Sequence, residues 1–453
     1  MNNKFFDIGF YKVDEKVFFN EGLFSKYFFS IHDVIYCNNS FYIYEDNYWN
    51  LKTDLEIKKI CKDCFDKIEI GNCKIIYENK YFPTIKTDAP QVQEKLLNQY
   101  PYKMNFQNGV YNFKIASFEE HCKENYFTYI LDYSLFSDIN PTPCFDLLIE
   151  TLSNNNKELD NFLRMLTAYI VSSVKTEQKF YMLKSRGNSG KSTYINLITK
   201  ILTQNFVSSI PLNKLEDRFT LSEAVGKKLI VAAENESNEK MKIKTETLKQ
   251  LSGDDHMRIE KKYKDAYTDK LNVELLFATN SDNLVFEDLS EGLKRRITVV
   301  ETEGVVKQKI VDFDKKLEEE IPYIMTKLIE YFKDIVGNNF KLPLCDSVVN
   351  STNKVINQSI NEGVKVAVGE DFVNFFEDNL EYDKDSRVTK HEVYKKYKEN
   401  GGKETTTKFW IRFDRWINHK KYSITKTNPP HREVIGIKFI DNKIENNVLE
   451  NLF

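Results

Sequence analysis

The sequence of 453 residues has no apolar run long enough to span a membrane, no internal repeat and no low-complexity linker. Its start, Met-Asn-Asn-Lys, does not resemble a signal peptide, so we expect a cytoplasmic protein without a membrane partner. A strong excess of charge is also absent, because the net charge is only −3. If nucleic acid is a partner, the positive charge that binds it must therefore be local.

Cysteines number seven, and an odd number in a chain without an expected signal argues against disulfide bonds. Cys61 and Cys64 have the C-x-x-C spacing of zinc ligands, with Cys73 nearby and Cys37 as a candidate fourth ligand. The segment around the pair also has a helical pattern, in which two cysteines three residues apart simply face a core. Structural zinc and core packing are both open at this point.

Between residues 179 and 303, short apolar segments alternate with helical patterns. Such strands predict an α/β fold with a parallel sheet covered by helices on both faces. The preceding part has the mixed pattern of an α+β region, with a candidate hairpin at 41–51 and helices near 145–154 and 158–174. The predicted strands of the parallel sheet are 180–183, 228–233, 273–279 and 296–302.

The motif GNSGKST, residues 187–193, follows a predicted strand and precedes an amphipathic helix. Glycines at such a turn let backbone N–H groups converge on phosphate oxygens, and the helix N-terminus adds its positive dipole end. Lys191 is expected to contact the β and γ phosphates of ATP, and the Ser192 hydroxyl to hold Mg²⁺. Ser185 stands where the general pattern has glycine. The residues predicted to bind the nucleotide are Gly187, Asn188, Ser189, Gly190, Lys191, Ser192 and Thr193.

Nucleotide hydrolysis also needs a carboxylate and a group that orients water. The segment KKLIVAAENE has Ala233 at the first acidic position of the usual Asp-Glu ending. Glu234 is therefore the candidate for water activation and for the metal, with Glu236 as an alternative. Asn280 follows a predicted central strand, where a polar side chain lies beside the γ-phosphate and orients water.

Arg295 and Arg296 enter the next predicted strand. In ring ATPases, an arginine that stabilises the transferred phosphate is typically supplied by a neighbouring subunit, which predicts a homo-oligomer. Adjacent residues on a strand face opposite sides, so only one arginine is expected to reach the nucleotide. We choose Arg296, with Arg295 as the alternative.

The motif order GNSGKST, KKLIVAAENE, LKQLSGDDHMRIEKKYKD, LLFATN and LKRRITVV resembles the superfamily 3 helicases of the poxvirus and satellite-phage primase-helicase type. The resemblance covers roughly residues 90–335 and includes MNFQNGVYNF at 104–113 and LTAYIVSS at 166–173. It implies an AAA+ P-loop ATPase core, a hexamer and 3′→5′ movement. The chain also resembles replication initiators of staphylococcal-type pathogenicity islands, which pair a helicase with a carboxyl-terminal winged helix.

In these helicases, the segment matching LSGDDHMRIEKKYKDAY forms a loop and a hairpin that projects into the ring channel and grips DNA. Glu260 departs from the family, which often has arginine near this position. Lys249 and Asp255 match the preceding loop. The resemblance assigns DNA binding to Lys261, Lys262 and Lys264.

Positive charge is concentrated in residues 384–440, which contain 15 Lys plus Arg and 6 Asp plus Glu, a net charge of +9. Because the whole chain carries −3, the other residues together carry −12. The local positive charge suits phosphate contacts. A helical pattern there places Phe409, Phe413 and Trp416 on one face and a basic stripe on another, as in a recognition helix. A hairpin follows, so we expect a winged helix; a small interaction domain with a solvated basic face is the alternative. The stripe consists of Lys408, Arg412 and Arg415, and the wing candidates are Lys420, Lys421 and Arg432.

We therefore expect an ATP-dependent DNA helicase and replication initiator of a mobile genetic element. It binds single- and double-stranded origin DNA, with host replication proteins as candidate partners. The alternative is an ATP-switched DNA-binding regulator without unwinding activity. About 90 residues precede the resemblance, which is short for a primase, so polymerising activity is not expected. The predicted parts are an accessory domain (1–90), a helical pre-helicase region (91–174), the AAA+ domain (175–340), a linker (341–368) and the winged helix (369–453).

Overall fold

The amino-terminal part packs helices and hairpins around an aromatic core, in which the rings of Phe24 and Phe65 stack with centroids 4.5 Å apart. Cys61 and Cys64 are buried in this core, as the core-packing alternative requires. In the part of the chain that the structure describes, no group of three or more His, Cys, Asp or Glu side chains is placed to hold a metal. Cys73 lies outside the described residues. The elements are β1 (Phe10–Val13), β2 (Lys16–Phe19), α1 (Glu21–Ile31), β3 (Val34–Cys37), β4 (Ser40–Glu45), β5 (Tyr48–Lys52), α2 (Asp54–Asp66) and α3 (Ile75–Asp88).

The molecule is a computed structural model that describes residues 8–13, 16–66, 75–135, 140–185, 187–235, 241–262, 265–281, 284–287, 289–307, 309–420, 422–427 and 432–440. Within these ranges, no helix is both long enough and apolar enough to cross a membrane. The predicted hairpin at 41–51 is present as the antiparallel pair β4–β5. A second three-stranded antiparallel sheet and two helices follow: β6 (Lys103–Phe106), β7 (Gly109–Asn112), β8 (Ser117–Glu119), α4 (Pro143–Ser153) and α5 (Lys157–Ser172).

The centre is a five-stranded sheet in which all neighbouring strands are parallel, as the apolar strand pattern predicted. Its strand order is β10-β11-β15-β9-β17. Strand β10 was not predicted, because its three residues, Val-Ser-Ser, carry little apolar signal. The elements are β9 (Phe180–Lys184), α6 (Lys191–Leu202), β10 (Val207–Ser209), β11 (Leu229–Asn235), β12 (Met241–Ile243), α7 (Glu246–Gly253), β13 (His256–Ile259), β14 (Tyr267–Lys270), β15 (Glu274–Thr279), β16 (Leu284–Phe286), α8 (Glu291–Lys294) and β17 (Ile297–Glu301).

Each face of this sheet belongs to a different hydrophobic cluster. Side chains such as Tyr181 and Leu183 pack with α4, α5 and α6 and with the later helix α10 (Ile321–Gly337). Phe180 and Met182, on the other face, pack with α7 and the β13–β14 hairpin. Strands β6 and β7, helices α4 and α5 and this face of the sheet therefore share one core. A short helix, α9 (Phe313–Glu319), precedes α10.

The segment expected to be a linker at 341–368 contains a 23-residue helix, α11 (Asp346–Val368). The helix was not predicted because most of its residues are polar, although some of them, such as Ser359, are buried against the sheet region. Val348 and Val355 pack against the sheet's clusters, and Val364 and Val368 belong to the carboxyl-terminal core.

The carboxyl-terminal part contains helices and an antiparallel sheet of order β18-β20-β19 around buried Phe409, Phe413 and Trp416. The aromatic face predicted for the recognition helix is thus buried. The turn at 428–430 and Lys421 lie outside the described residues. The elements are α12 (Glu370–Asn379), β18 (Leu380–Thr389), α13 (Lys390–Glu399), α14 (Thr406–Lys420), β19 (Thr425–Lys426) and β20 (Glu433–Phe439).

Candidate nucleotide-binding site

The loop between β9 and α6 adopts left-handed backbone conformations that only glycine or asparagine accepts readily. The φ angles are 102° at Gly187, 49° at Asn188 and 91° at Gly190. Tyr194 N donates to Gly190 O at 2.9 Å, which is the first hydrogen bond of α6. The N–H groups before Tyr194 therefore have no acceptor within the helix and face outward from its N-terminus, as an anion site requires.

Lys191 is almost completely buried at the base of this loop, with 3% of its surface exposed. Its Nζ donates to Oδ1 of Asn280 at 2.7 Å and also to the Ser185 hydroxyl. That hydroxyl lies 2.9 Å from Ser189 Oγ and accepts from Gly187 N at 3.2 Å. Ser185, a departure from the glycine pattern, is therefore a hydrogen-bond centre of the loop. The sequence did not reveal this role, because a sequence motif specifies residue types and does not show where the Ser185 hydroxyl lies.

The sheet register explains why Lys191 and Asn280 meet. Thr279, the last residue of β15, pairs with Lys184, the last residue of β9. Ser185 N also donates to Thr279 O at 3.2 Å. The polar residues after both strands therefore emerge side by side at the carboxyl edge of the sheet, where parallel sheets bind ligands. Asn280 lies where the sequence placed it, at the tip of a central strand.

A cavity of about 910 Å³ opens in front of the loop. Its size fits a nucleotide-sized ligand. Ser192 is exposed and lines the cavity with Thr193, so its hydroxyl is accessible to a metal. The other walls are the end of α4 and the segment 303–314, neither of which sequence analysis identified, since both lie more than 30 residues from the loop.

Gly304 holds one of these walls in place. A Cβ at this position would lie 1.5 Å from Thr151 O at the end of α4. Beside it, Val306 N donates to Asn188 O at 2.9 Å, which ties the segment to the loop between β9 and α6, the predicted phosphate loop. The close approach of Gly304 therefore shapes the cavity.

Of the two acidic candidates, Glu234 has a described backbone, and this backbone lies at the same edge of the sheet. Glu234 belongs to β11, which is hydrogen-bonded to β15, so its backbone is next to the strand that leads to Asn280. The Glu234 side chain and all of Glu236 lie outside the described residues. Their predicted roles at the metal stay predictions.

The two arginines lie at the opposite end of the sheet from the loop. Arg295 and Arg296 precede β17 instead of entering it, so the strand-alternation argument for choosing between them does not apply. Phe180 N donates to Arg296 O at 2.9 Å, at the start of β9. The phosphate loop follows the end of that strand, so neither arginine is placed to serve the nucleotide site of its own chain.

The β13–β14 hairpin carries the residues expected to grip DNA. Lys262 is exposed, and Lys261 Nζ lies 5.8 Å from the centre of the Tyr267 ring. Glu260 Oε2 accepts from Arg218 Nε at 2.6 Å, and its Oε1 lies 3.1 Å from Arg258 Nε. Arg218, and to a lesser degree Arg258, lowers the pKa of Glu260 below its ordinary value. Lys264 lies outside the described residues.

Arg218 and Arg258 are cations that sequence reasoning missed. Their side chains are 74% and 73% exposed. Arg258 lies in the quoted hairpin segment, so its position was a usable signal. Arg218 is 42 residues from Glu260, and nothing in the sequence pairs them.

The basic stripe on α14 divides into two kinds of residue. Lys408 is 69% exposed and lies 3.7 Å from Glu404 Oε2. Arg412 Nη1 instead donates to Val368 O at 2.7 Å, with its guanidinium 4.5 Å from the centre of the Phe372 ring. Arg415 Nη1 donates to Ala367 O at 3.5 Å. Arg412 thus caps the carboxyl end of α11, while Lys408 and Arg415 are exposed to solvent.

Two parts of the chain match protein-family models. Residues 22–154 match a family described as D5 N terminal like. Residues 183–296 match a family of unknown function, DUF5906. The second range contains the phosphate loop, Asn280 and both arginines.

Solved structures of the NrS-1 C terminal region are similar to this chain. The apo structure of its residues 305–718 has 12% sequence identity and a TM-score of 0.54, and the match covers 91% of this chain and 98% of that one. An A form apo structure of the same region has 13% identity and a TM-score of 0.52, with coverages of 92% and 98%. At such identities, the likeness concerns the fold alone, and it extends over nearly the whole chain.

Proposed function

We propose that this chain is an ATP-dependent DNA helicase and replication initiator that works as a hexameric ring. The observation that carries the proposal is the hydrogen bond between Lys191, which lines the 910 Å³ cavity, and Asn280. A phosphate-binding lysine and a polar strand-tip residue together are the arrangement that positions a γ-phosphate and its attacking water. ATP is the ligand that such a site takes.

The cofactor assignment follows from the donor set of the site. The exposed Ser192 hydroxyl and a carboxylate from Glu234 or Glu236 would hold Mg²⁺, a hard cation that prefers oxygen ligands. The metal would neutralise phosphate charge during transfer. Lys191 would bind the phosphates, and Asn280 would orient the water.

The strand order supports an AAA+ core. A five-stranded parallel sheet with the phosphate-loop strand β9 between β15 and β17 is typical of this class. The position of Arg295 and Arg296 supports a ring, because an arginine that acts on a neighbouring subunit's nucleotide must lie away from the nucleotide site of its own chain. The D5 N terminal like match and the fold likeness to the NrS-1 C terminal region support a phage-type replication protein.

The carboxyl-terminal part supports origin binding. Its order of α12, β18, α13, α14, β19 and β20 is typical of winged-helix domains, in which the third helix enters the DNA major groove. In this chain that helix is α14, and its exposed Lys408 faces away from the aromatic core. We therefore include recognition of double-stranded DNA by α14 in the proposal.

The test is ATP-dependent unwinding of a forked duplex with single-stranded arms. Wild type is expected to separate the strands, and Lys191→Ala to hydrolyse no ATP and separate none. Lys200→Ala is the matched control, because Lys200 lies on the exposed face of the same helix and pairs only with Glu318 among its described partners. It is expected to behave as wild type.

A second candidate is the ATP-switched regulator without unwinding activity. Glu260 favours it, because this carboxylate neutralises part of the hairpin's positive charge where the similar helicases often have arginine. A wild-type chain that hydrolyses ATP and binds DNA, but never separates strands at any fork geometry, would establish this second function.

A further inference from the structure

Arg295 and Arg296 differ sharply in their surroundings, although they are adjacent in sequence. Arg295 is exposed, and its described side-chain hydrogen bond is a long one, from Nη2 to Gln178 Oε1 at 3.4 Å. Arg296 is half-buried and donates from Nη1 to Lys249 O at 2.7 Å. One arginine is therefore available to an incoming phosphate, and the other is committed to its own chain.

Arg296 donates to a backbone carbonyl in the carboxyl-terminal half of α7. Three side chains converge on the carbonyls there: Arg296 on Lys249 O, Lys175 Nζ on Leu251 O at 2.6 Å, and Gln178 Nε2 on Gly253 O at 3.3 Å. Cations at this end of a helix are favoured by its dipole. Helix α7 is thus held at its end by residues that lie beside the two arginines.

Gly253 makes this contact possible. A Cβ at position 253 would lie 2.9 Å from Arg296 Nη2, so the guanidinium packs directly on the backbone of the last α7 residue. Three residues later the chain enters β13, the first strand of the hairpin expected to contact DNA. Any displacement of Arg296 therefore acts on the base of that hairpin.

Gln178 joins the two arginines. Its Oε1 accepts from Arg295 at 3.4 Å and from Arg296 at 3.3 Å, while its Nε2 holds Gly253 O. A phosphate of another subunit that displaces Arg295 would thus also displace the Gln178 side chain, and through it Arg296 and α7.

We propose that Arg295 is the arginine that acts on the nucleotide of the neighbouring subunit, and that Arg296 is a positioning residue that transmits its engagement to the DNA hairpin. This inference rests on the proposed function and reverses the choice made from the sequence. It divides the pair into a catalytic residue and a coupling residue.

The first test mixes inactive variants of the full chain. Arg295→Ala is expected to lower the ATPase kcat on the order of 10³-fold, with and without DNA, since it removes the trans-acting charge. Lys191→Ala lacks the phosphate lysine but keeps Arg295. Mixing the two variants should restore ATPase activity, because some interfaces then pair an intact phosphate loop with an intact arginine.

The second test separates coupling from catalysis. Arg296→Ala is expected to keep basal ATPase activity within about threefold and to lose its stimulation by single-stranded DNA, whereas Arg296→Lys, which can still donate to Lys249 O, should regain part of the stimulation. Gln178→Ala leaves both arginines in the chain and should also reduce the stimulation, so the prediction does not depend on one variant folding.

Two outcomes would overturn the assignment in a wild-type chain that hydrolyses ATP and unwinds DNA. One is an Arg295→Ala variant as active as wild type. The other is an Arg296→Ala variant that loses basal activity and is the one rescued by Lys191→Ala. A wild-type chain that hydrolyses no ATP instead overturns the proposed function itself.

Discussion

Lys191 Nζ donates a hydrogen bond of 2.7 Å to Oδ1 of Asn280, so two residues 89 positions apart meet at one sheet edge. Asn280→Ala removes this acceptor and, under the proposed function, the group that orients water. We expect kcat for ATP hydrolysis to fall on the order of 10²-fold, as for loss of one transition-state contact, with little change in nucleotide affinity.

Steady-state ATPase assays and titration with a fluorescent ATP analogue measure the two quantities for Asn280→Ala. Asn196→Ala, an exposed asparagine on α6, is the control and should match wild type. Equal kcat values for Asn280→Ala and Asn196→Ala would remove Asn280 from the catalytic site.

Gly304→Ala is expected to weaken ATP binding. The added Cβ would meet Thr151 O, so the segment 303–307 must move away from α4 and from the phosphate loop. Overpacking of this kind costs about 1–3 kcal/mol, which corresponds to a loss of roughly five- to 150-fold in affinity if it falls on the bound state. Nucleotide titration measures the loss. Gly337→Ala, where a Cβ has nothing within 4 Å, is the matched control; identical affinities for both variants would contradict the proposed cavity.

The free energy of unfolding should depend on pH because Lys228 is buried. Burial lowers the pKa of this lysine to about 7, and its Nζ lies 3.4 Å from Lys103 O and 3.5 Å from Tyr129 Oη. The unfolded chain keeps the proton up to an ordinary lysine pKa of about 10.4, so between about pH 7 and 10 it binds more protons than the folded chain. Stability should therefore rise through this window, by up to about 1.4 kcal/mol per pH unit, and stay flat below it.

The check is the melting temperature of wild type and Lys228→Met at pH 7, 8 and 9. Methionine has no proton to lose, so the variant should be the more stable at pH 7 and its advantage should shrink as pH rises. Lys227→Met changes the neighbouring lysine, whose Nζ donates to Asn205 O at the surface. A constant difference between wild type and Lys228→Met across the three pH values would mean that Lys228 keeps its proton.

Lys408 and Arg412 should respond differently to truncation. Lys408→Ala is expected to weaken duplex binding and to reduce the slope of log K against log salt by about 0.9, as for one lost phosphate contact, without altering the melting temperature. Arg412→Ala leaves the Val368 carbonyl without its donor, so its main effect should be a loss of about 1–3 kcal/mol in stability.

Fluorescence anisotropy at several salt concentrations, together with thermal melting, separates these effects, and each variant serves as the control for the other. If Arg412→Ala reduces the salt slope and leaves the melting temperature unchanged, Arg412 contacts DNA, as its place in the basic stripe first indicated.

The parallel sheet was predictable because its strands are nearly continuous apolar runs, and the phosphate loop because a glycine turn before a helix has a specific spacing. The hydrogen-bond partner of Lys191 was harder to predict from the sequence. Asn280 was identified by its place after a strand, but the hydrogen bond depends on the register of β9 and β15, which the sequence does not display.

Two features depend on tertiary partners that the sequence does not display. The segment at 341–368 was expected to link two parts of the chain, and its helical form was missed because the four valines that bury α11 are widely spaced. Arg412 was predicted to contact DNA, and nothing local reveals that the end of α11 lies beside it. Helical spacing gives the face of a residue but not what covers that face.

Helix α11 is attached to the five-stranded sheet at one end and to α14 at the other. Thr352 Oγ1 accepts from Val299 N on the edge strand, and Arg412 holds the other end at Val368 O. The 16 residues that follow Thr352, up to Val368, span about 24 Å at about 1.5 Å per residue, so a tilt of about 10° at the sheet moves the far end by about 4 Å. A small rotation at the five-stranded sheet would thus become a displacement of more than one base-pair step at α14.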